Sequence, residues 1–131
     1  MNIDGEGAVL GRLATHVAKQ LLSGESVTIV NAGKIIITGN PTTTKEKYAG
    51  RREIGSPHHG PFFPKTPEGI VKRAIRGMLP YKTPKGRQAF KRLRVHVRSD
   101  AVGDAASLPK RDIRTRYTTV EDLSKFLGWK G

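Results

Sequence analysis

The stretch LGRLATHVAKQLLSGESVTIV, residues 10–30, decides the fold. Leu10, Leu13, Ala14, Val17, Ala18, Leu21 and Leu22 recur at intervals of three and four, which gathers them on one face of an α-helix. Arg12, Thr15, His16, Lys19 and Gln20 fall on the opposite face, and Ser23-Gly24 ends the helix. Val27-Thr28-Ile29-Val30 is a β-branched run of the kind found in a largely buried strand. With a short strand near residues 1–5 placed before the helix, the three elements form a βαβ unit. Its crossover implies parallel pairing.

Further along, Lys34-Ile35-Ile36-Ile37 reads as another strand, closed by the turn formers Thr38-Gly39-Asn40-Pro41. A short helix is expected over residues 42–50, and a loop rich in Pro, Gly and His lies between Gly55 and Pro67. Thr66-Pro67-Glu68 is a strong helix start: a capping hydroxyl, proline at the first helical position, and an acid near the positive end of the dipole. That helix would turn Ile70, Val71, Ala74, Ile75 and Met78 inward and Lys72, Arg73 and Arg76 outward, with Pro80 stopping it. Thr83-Pro84 opens a second helix by the same device, with Ala89, Phe90 and Leu93 inward and Arg87, Lys91 and Arg92 outward. Leu93-Arg94-Val95-His96-Val97-Arg98 alternates as a half-buried strand does. Residues 99–117 read as an extended arm. Thr118-Thr119-Val120-Glu121 resembles a capping box that opens a terminal helix carrying Val120, Leu123, Phe126 and Leu127, which ends at Gly128-Trp129. The chain is therefore expected to be α/β, with a core over residues 1–98 and, in the same domain, an arm and short helix over 99–131.

Charge is concentrated in the middle of the chain. Of 24 Lys/Arg and 11 Asp/Glu in 131 residues, residues 41–98 hold 15 basic and 3 acidic side chains, so this segment carries +12 of the net +13. Such a segment needs a polyanion or a dense counterion cloud, and a nucleic-acid backbone is the first partner to consider. The absence of cysteine excludes disulfides and thiolate metal sites and fits a reducing compartment. No apolar run approaches the ~20 residues of a membrane span, and Met1-Asn2-Ile3-Asp4 lacks a signal-peptide core. A soluble, cytoplasmic protein is expected, with no membrane partner.

Other chemistries are poorly supported. Glycines 5, 7 and 11 are spaced one residue too widely for a dinucleotide loop, and the only acid near the required distance is Glu25, in a loop. Adjacent His58 and His59 have Glu53 and Glu68 as their nearest carboxylates, too remote for a convincing metal set. They read better as phosphate or sugar contacts, or as plain loop residues. No hydrolase, zincin or paired-carboxylate motif occurs. Neither a cofactor, a small-molecule substrate nor an enzymatic activity is expected. Aromatics are sparse at 6%, which favours recognition of RNA backbone and shape over base stacking on single strands. Helix-turn-helix, zinc-finger and basic-zipper signals are missing. A DNA-binding module and a nucleotide-dependent enzyme on the βαβ unit remain the rivals.

Three strings carry a family resemblance: Leu10-Gly11-Arg12-Leu13-Ala14; Val30-Asn31-Ala32-Gly33-Lys34 leading to Thr38-Gly39-Asn40; and Arg76-Gly77-Met78-Leu79-Pro80 with Lys85-Gly86-Arg87. Over residues 3–98 the chain resembles the universal family of the thirteenth large-subunit ribosomal protein. The inserted Tyr81-Lys82-Thr83-Pro84 looks like its archaeal and eukaryotic form. The resemblance implies a three-layer α/β/α protein with a small, mainly parallel sheet. It also implies binding to large-subunit ribosomal RNA, early assembly, no catalysis, neighbouring ribosomal proteins as partners, and a monomer within the ribosome. Basic positions that match the family are Arg12, Lys34, Arg73, Arg76, Lys82, Lys85 and Arg87. Charge and facing add Lys45, Lys47, Arg51, Arg52, His58, His59, Lys72, Lys91, Arg92 and Arg94 as candidate RNA contacts, and Lys110, Arg111, Arg114 and Arg116 in the tail are weaker inferences. Gly33 stands where the family often has an acid. Gly77 and Gly86 invite close approach of RNA to backbone or simple helix termination; Tyr81, Phe62 and Phe63 invite base stacking or loop anchoring. The terminal helix with Trp129 is expected to dock on a neighbouring protein or on its own core.

Overall fold

A computed structural model describes residues 1–53, 64–98, 106–107 and 115–130. Strand β1 (Asn2–Asp4) leads through helix α1 (Leu10–Leu22) to strand β2 (Val27–Val30), and β1 and β2 pair in parallel, Ile3 opposite Ile29. This is the expected βαβ unit. On α1, Leu10, Leu13, Ala14, Val17, Ala18 and Leu21 are buried, as their spacing requires.

The main sheet has the order β4-β2-β1-β5, all parallel, with β4 at Leu93–Val95 and β5 at Ala106–Ser107. Its register aligns Ile3, Ile29 and Val95, with Val27 beside Leu93, and all five side chains are buried. Asn2, Thr28 and Arg94 form the polar row on the other face. A second, antiparallel pair joins β3 (Ile36–Thr38) to β6 (Tyr117–Thr119). It is tied to the β1–α1 turn where the Ile36 amide donates to the Ala8 carbonyl at 2.8 Å.

Four more helices lie among the described residues: α2 (Pro41–Glu53), α3 (Pro67–Arg76), α4 (Pro84–Lys91) and α5 (Val120–Phe126). Helix α1 packs on α3 and α4, and α3 packs on α5. One core cluster joins Leu13, Val17 and Leu21 of α1 to Ile70, Val71 and Ile75 of α3, to the inner row of the sheet, and to Val120 and Leu123 of α5. The fold is mixed α/β, with a small, mainly parallel sheet and five helices among the described residues, consistent with the three-layer α/β/α class.

Several local expectations need correction. The segment after β2 does not run straight into a strand. Asn31 adopts left-handed backbone at φ 56°, Ala32–Lys34 forms a 3-10 turn, and β3 begins only at Ile36. Thr38 is the last residue of β3 rather than part of a turn, and helix α2 starts at Pro41, with the Asn40 side chain accepting from the Thr42 amide at 2.9 Å. The terminal helix is capped by Thr119, not Thr118: its hydroxyl accepts from the Asp122 amide at 3.2 Å. Phe126 is 53% exposed, because the buried stripe of α5 is Val120, Leu123 and Ser124. The strand expected over 93–98 is ladder-like only to His96, whose amide donates to the Ile29 carbonyl at 2.8 Å. Within the arm, Ala106–Ser107 adds an edge strand to the main sheet and Tyr117 already belongs to β6.

Met78 is the largest departure. The register of α3 puts it inward, yet it is 45% exposed. The helix ends at Arg76 with Gly77 as its C-cap, so the three-four periodicity no longer governs the residue that follows. Leu79 is the one that turns into the core.

Candidate nucleic-acid interface

The basic segment is built on two helices that start alike. The Thr66 hydroxyl accepts from the Gly69 amide and the Thr83 hydroxyl from the Gly86 amide, each at 3.2 Å, and proline occupies the first helical position in both. Each device satisfies an orphan amide and presets φ, which fixes the start of the helix and therefore its facing. Helix α3 buries Ile70, Val71 and Ile75 and leaves Lys72, Arg73 and Arg76 half-buried at its flank. Helix α4 buries Gly86 and Ala89 and leaves Lys85, Arg87 and Lys91 exposed.

The link between them is held tightly. The Pro80 carbonyl accepts from both the amide (2.9 Å) and the hydroxyl (2.7 Å) of Thr83. A Cβ at position 86 would land on that same carbonyl group and lie 2.9 Å from the Tyr81 nitrogen. Gly86 is thus required by close approach of its own chain, which accounts for it without a ligand. Gly77 has ordinary helical backbone at φ −64°, and a Cβ there would meet nothing nearer than 3.5 Å.

Residues 64–98 carry 11 Lys/Arg against a single acid, Glu68. Two ion pairs among the described residues, Lys34–Glu6 at 3.9 Å and Lys125–Glu121 at 3.4 Å, lie outside this segment. The arginines use their donors in different ways. Arg92, expected to face outward, is half-buried and gives Nη2 to the Leu21 carbonyl at 2.6 Å and Nε to the Glu25 carbonyl at 3.4 Å. Its charge therefore sits at the C-terminal, negative end of α1, where a cation is favoured. Arg94 donates to the Lys91 and Leu93 carbonyls at 3.0 and 3.1 Å, and Arg87 to the Lys82 carbonyl at 3.3 Å. Arg76 makes none of these bonds. Its Cζ lies over the Tyr81 ring, 4.5 Å from the centroid, and Tyr81 in turn meets Phe90 edge to face at 5.9 Å.

The remaining candidates are dispersed. Arg12 is exposed on α1; Lys34 is exposed at the 3-10 turn; Lys47 is exposed on α2; Lys45 stands over the Phe126 ring at 5.7 Å. Arg51 and Arg52 lie on α2, with side chains outside the described ones, and His58, His59, Phe62 and Phe63 fall outside the described residues. Tyr81 anchors Arg76 and meets Phe90, a role that periodicity could not reveal because Arg76 and Tyr81 are separated by the end of a helix.

Among the described residues no group of three His, Cys, Asp or Glu side chains could hold a metal ion, and no helix is long and apolar enough to cross a membrane. The glycine turn after β1 is filled by the chain itself: Gly5 is buried, and a Cβ on it would lie 2.7 Å from Ile35 Cγ1. Packing explains this glycine, as close backbone approach commonly does.

The sequence model of the family described as Ribosomal protein L13 matches residues 1–101. A protein of Methanocaldococcus jannaschii named large ribosomal subunit protein uL13 is 47% identical over 134 residues, covering 98% of this chain and 97% of its own. The protein of that name from Thermoplasma acidophilum is 45% identical over 96% of each chain. The one from Methanosarcina barkeri is 57% identical over 96 residues, covering 72% of this chain and 69% of its own.

Proposed function

The chain belongs to the ribosomal protein L13 family, a structural component of the large ribosomal subunit and not an enzyme, and from that premise we propose that it clamps large-subunit ribosomal RNA through the basic surface of α3, the 77–83 link and α4. The observation that carries this reading is the run of 11 cations against one acid over residues 64–98, on helices whose other faces are locked into the core. A solvated basic face normally interleaves acids that pair with its cations. Here α3 and α4 have only Glu68, in the first turn of α3.

Lys72, Arg73, Arg76, Lys82, Lys85, Arg87 and Lys91 form the central contact set in this proposal. Arg12, Lys34, Lys45, Lys47, Arg51, Arg52, His58, His59 and Arg94 are secondary contacts, and Arg92 serves α1. Neutralising phosphates from more than one RNA segment releases condensed counterions and lowers repulsion between packed RNA helices, which is the physical content of a clamp in subunit assembly. We read residues 1–98 as the RNA-binding core and 99–131 as an extension of the same domain. Its setting is the cytoplasmic ribosome, as a single copy among neighbouring ribosomal proteins.

The test is binding of the full chain to deproteinised archaeal large-subunit rRNA across a salt series. Replacing Arg73, Arg76 and Arg87 together by Ala should weaken affinity by at least about tenfold at 0.15 M salt. The log–log salt slope should fall by roughly one for each lost phosphate contact. Affinity within twofold of the native protein, with the fold intact, would refute this surface. Competition by duplex DNA at matched salt that equals competition by RNA would favour the DNA-binding reading instead.

A further inference from the structure

Building on the RNA-clamp reading, we propose that Tyr81 is a positioning residue for Arg76: its ring holds the guanidinium ready for a phosphate before RNA arrives. Three observations converge on this pair. First, Arg76 Cζ lies 4.5 Å from the Tyr81 centroid, within cation–π range, and Tyr81 is itself braced by Phe90, centroid to centroid 5.9 Å at an interplanar angle of 86°. Second, the backbone that carries the ring is fixed on both sides, which sets where the ring starts from. The Tyr81 amide donates to the Leu79 carbonyl at 2.7 Å, and the preceding Pro80 carbonyl is occupied by Thr83 and abutted by Gly86.

Third, the N–H donors of Arg76 are uncommitted. Arg87, Arg92 and Arg94 give donors to backbone carbonyls, whereas Arg76 has no hydrogen bond or ion pair among the described residues. A guanidinium offers five donors in a planar fork that suits phosphate, and stacking against a ring leaves the edge of that fork available. An arginine free to rotate loses much of its rotamer entropy on binding; one already held by a ring loses less, so affinity rises without any added charge. Arg76 at the C-terminal turn of α3 is also held near the end of the helix where a cation is favoured.

This separates what the two side chains contribute. Arg76 supplies charge, which is read in the salt slope. Tyr81 supplies order, which is read in affinity at constant slope. The experiment measures binding to deproteinised archaeal large-subunit rRNA for Tyr81→Ala, Tyr81→Leu, Tyr81→Phe, Arg76→Ala and the double variant Arg76→Ala/Tyr81→Ala. Unfolding midpoints confirm that each is folded.

The expected result is that Tyr81→Ala and Tyr81→Leu weaken binding by about threefold to tenfold with unchanged salt slope. Tyr81→Phe should stay native-like, and the double variant should bind no worse than Arg76→Ala alone. Native affinity in Tyr81→Ala alongside weakened Arg76→Ala would overturn the positioning role and leave the clamp standing. Additive losses in the double variant, or a Tyr81→Phe variant as weak as Tyr81→Ala, would overturn it too, since Tyr81 would then touch RNA directly. If Arg76→Ala binds normally, the inference fails. If the triple Arg73, Arg76 and Arg87 variant binds normally as well, the clamp reading fails with it.

Discussion

Asp4 Oδ1 accepts a hydrogen bond from Asn31 Nδ2 at 2.9 Å, tying the last residue of β1 to the one described non-glycine residue with left-handed backbone. The same carboxylate oxygen accepts from the Glu6 amide at 3.0 Å. One short side chain thus sets both the exit from β1 and the turn after β2. That turn places Ala32–Lys34 across the C-terminal end of the parallel strands and lets Ile35 pack over Gly5. Left-handed backbone costs an L-residue roughly 1–2 kcal/mol, which Asn tolerates better than most because it bonds locally. Asn31→Ala should therefore lose about 2 kcal/mol, the strain together with the missing bond. Asn31→Gly should lose less, because glycine relieves the strain. Urea midpoints with an unchanged m-value check this order.

Arg92 offers a second contrast, between a cation that serves the fold and cations available to a partner. Its bonds to the Leu21 and Glu25 carbonyls tie α4 to the end of α1. Arg92→Ala is expected to lower stability by about 1–3 kcal/mol, the range for charge-assisted bonds that leave carbonyls unsatisfied. The salt slope of RNA binding should stay near that of the native chain. The reverse profile, native stability with a shallower slope, would mean that this guanidinium leaves α1 to meet RNA.

Gly86→Ala tests the lock between α3 and α4. The added methyl would overlap the Pro80 carbonyl group, so the first turn of α4 must shift or the Thr83 cap must open. A loss of about 3 kcal/mol is expected, at the upper end for overpacking. RNA affinity should fall with it, because Tyr81 and Lys82 ride on that link. Thermal or urea unfolding measures the first effect, and RNA titration below the unfolding midpoint measures the second.

What could be read from the chain before folding was local chemistry and sustained period. Helix α1 has six buried residues at helical spacing, and Thr66-Pro67 and Thr83-Pro84 announce their helices through groups that bond within four residues. The parallel β1–β2 pairing followed from the βαβ spacing. The two-residue strand β5 left no such trace, because Ala106–Ser107 is too short to show alternation and takes its place by pairing with Ile3 and Asp4. The left-handed Asn31 and the structural service of the half-buried Arg92 were equally hidden, since each depends on a partner 27 to 71 positions away. For the candidate interface, charge density was legible but the division of labour among arginines was not. Arg76 and Arg92 look alike in sequence; only the ring beside one and the helix end beside the other distinguish them.

Met78 provides the sharpest test of where periodicity stops applying. Counting from Ile75, a continued helix would carry residue 78 to the inner face, and an aspartate there would bury an unpaired charge. With α3 ending at Arg76, Met78 is instead 45% exposed, and its sulfur accepts a weak hydrogen bond from the Thr15 hydroxyl at 3.4 Å. Met78→Asp is therefore expected to change stability by no more than about 1 kcal/mol, as surface substitutions do. Ile75→Asp, at a fully buried position three residues earlier, should cost more than about 4 kcal/mol and leave the chain largely unfolded. Circular dichroism and urea titration of the two variants decide the matter. Met78→Asp unfolding as Ile75→Asp does would instead place the end of α3 later than Gly77.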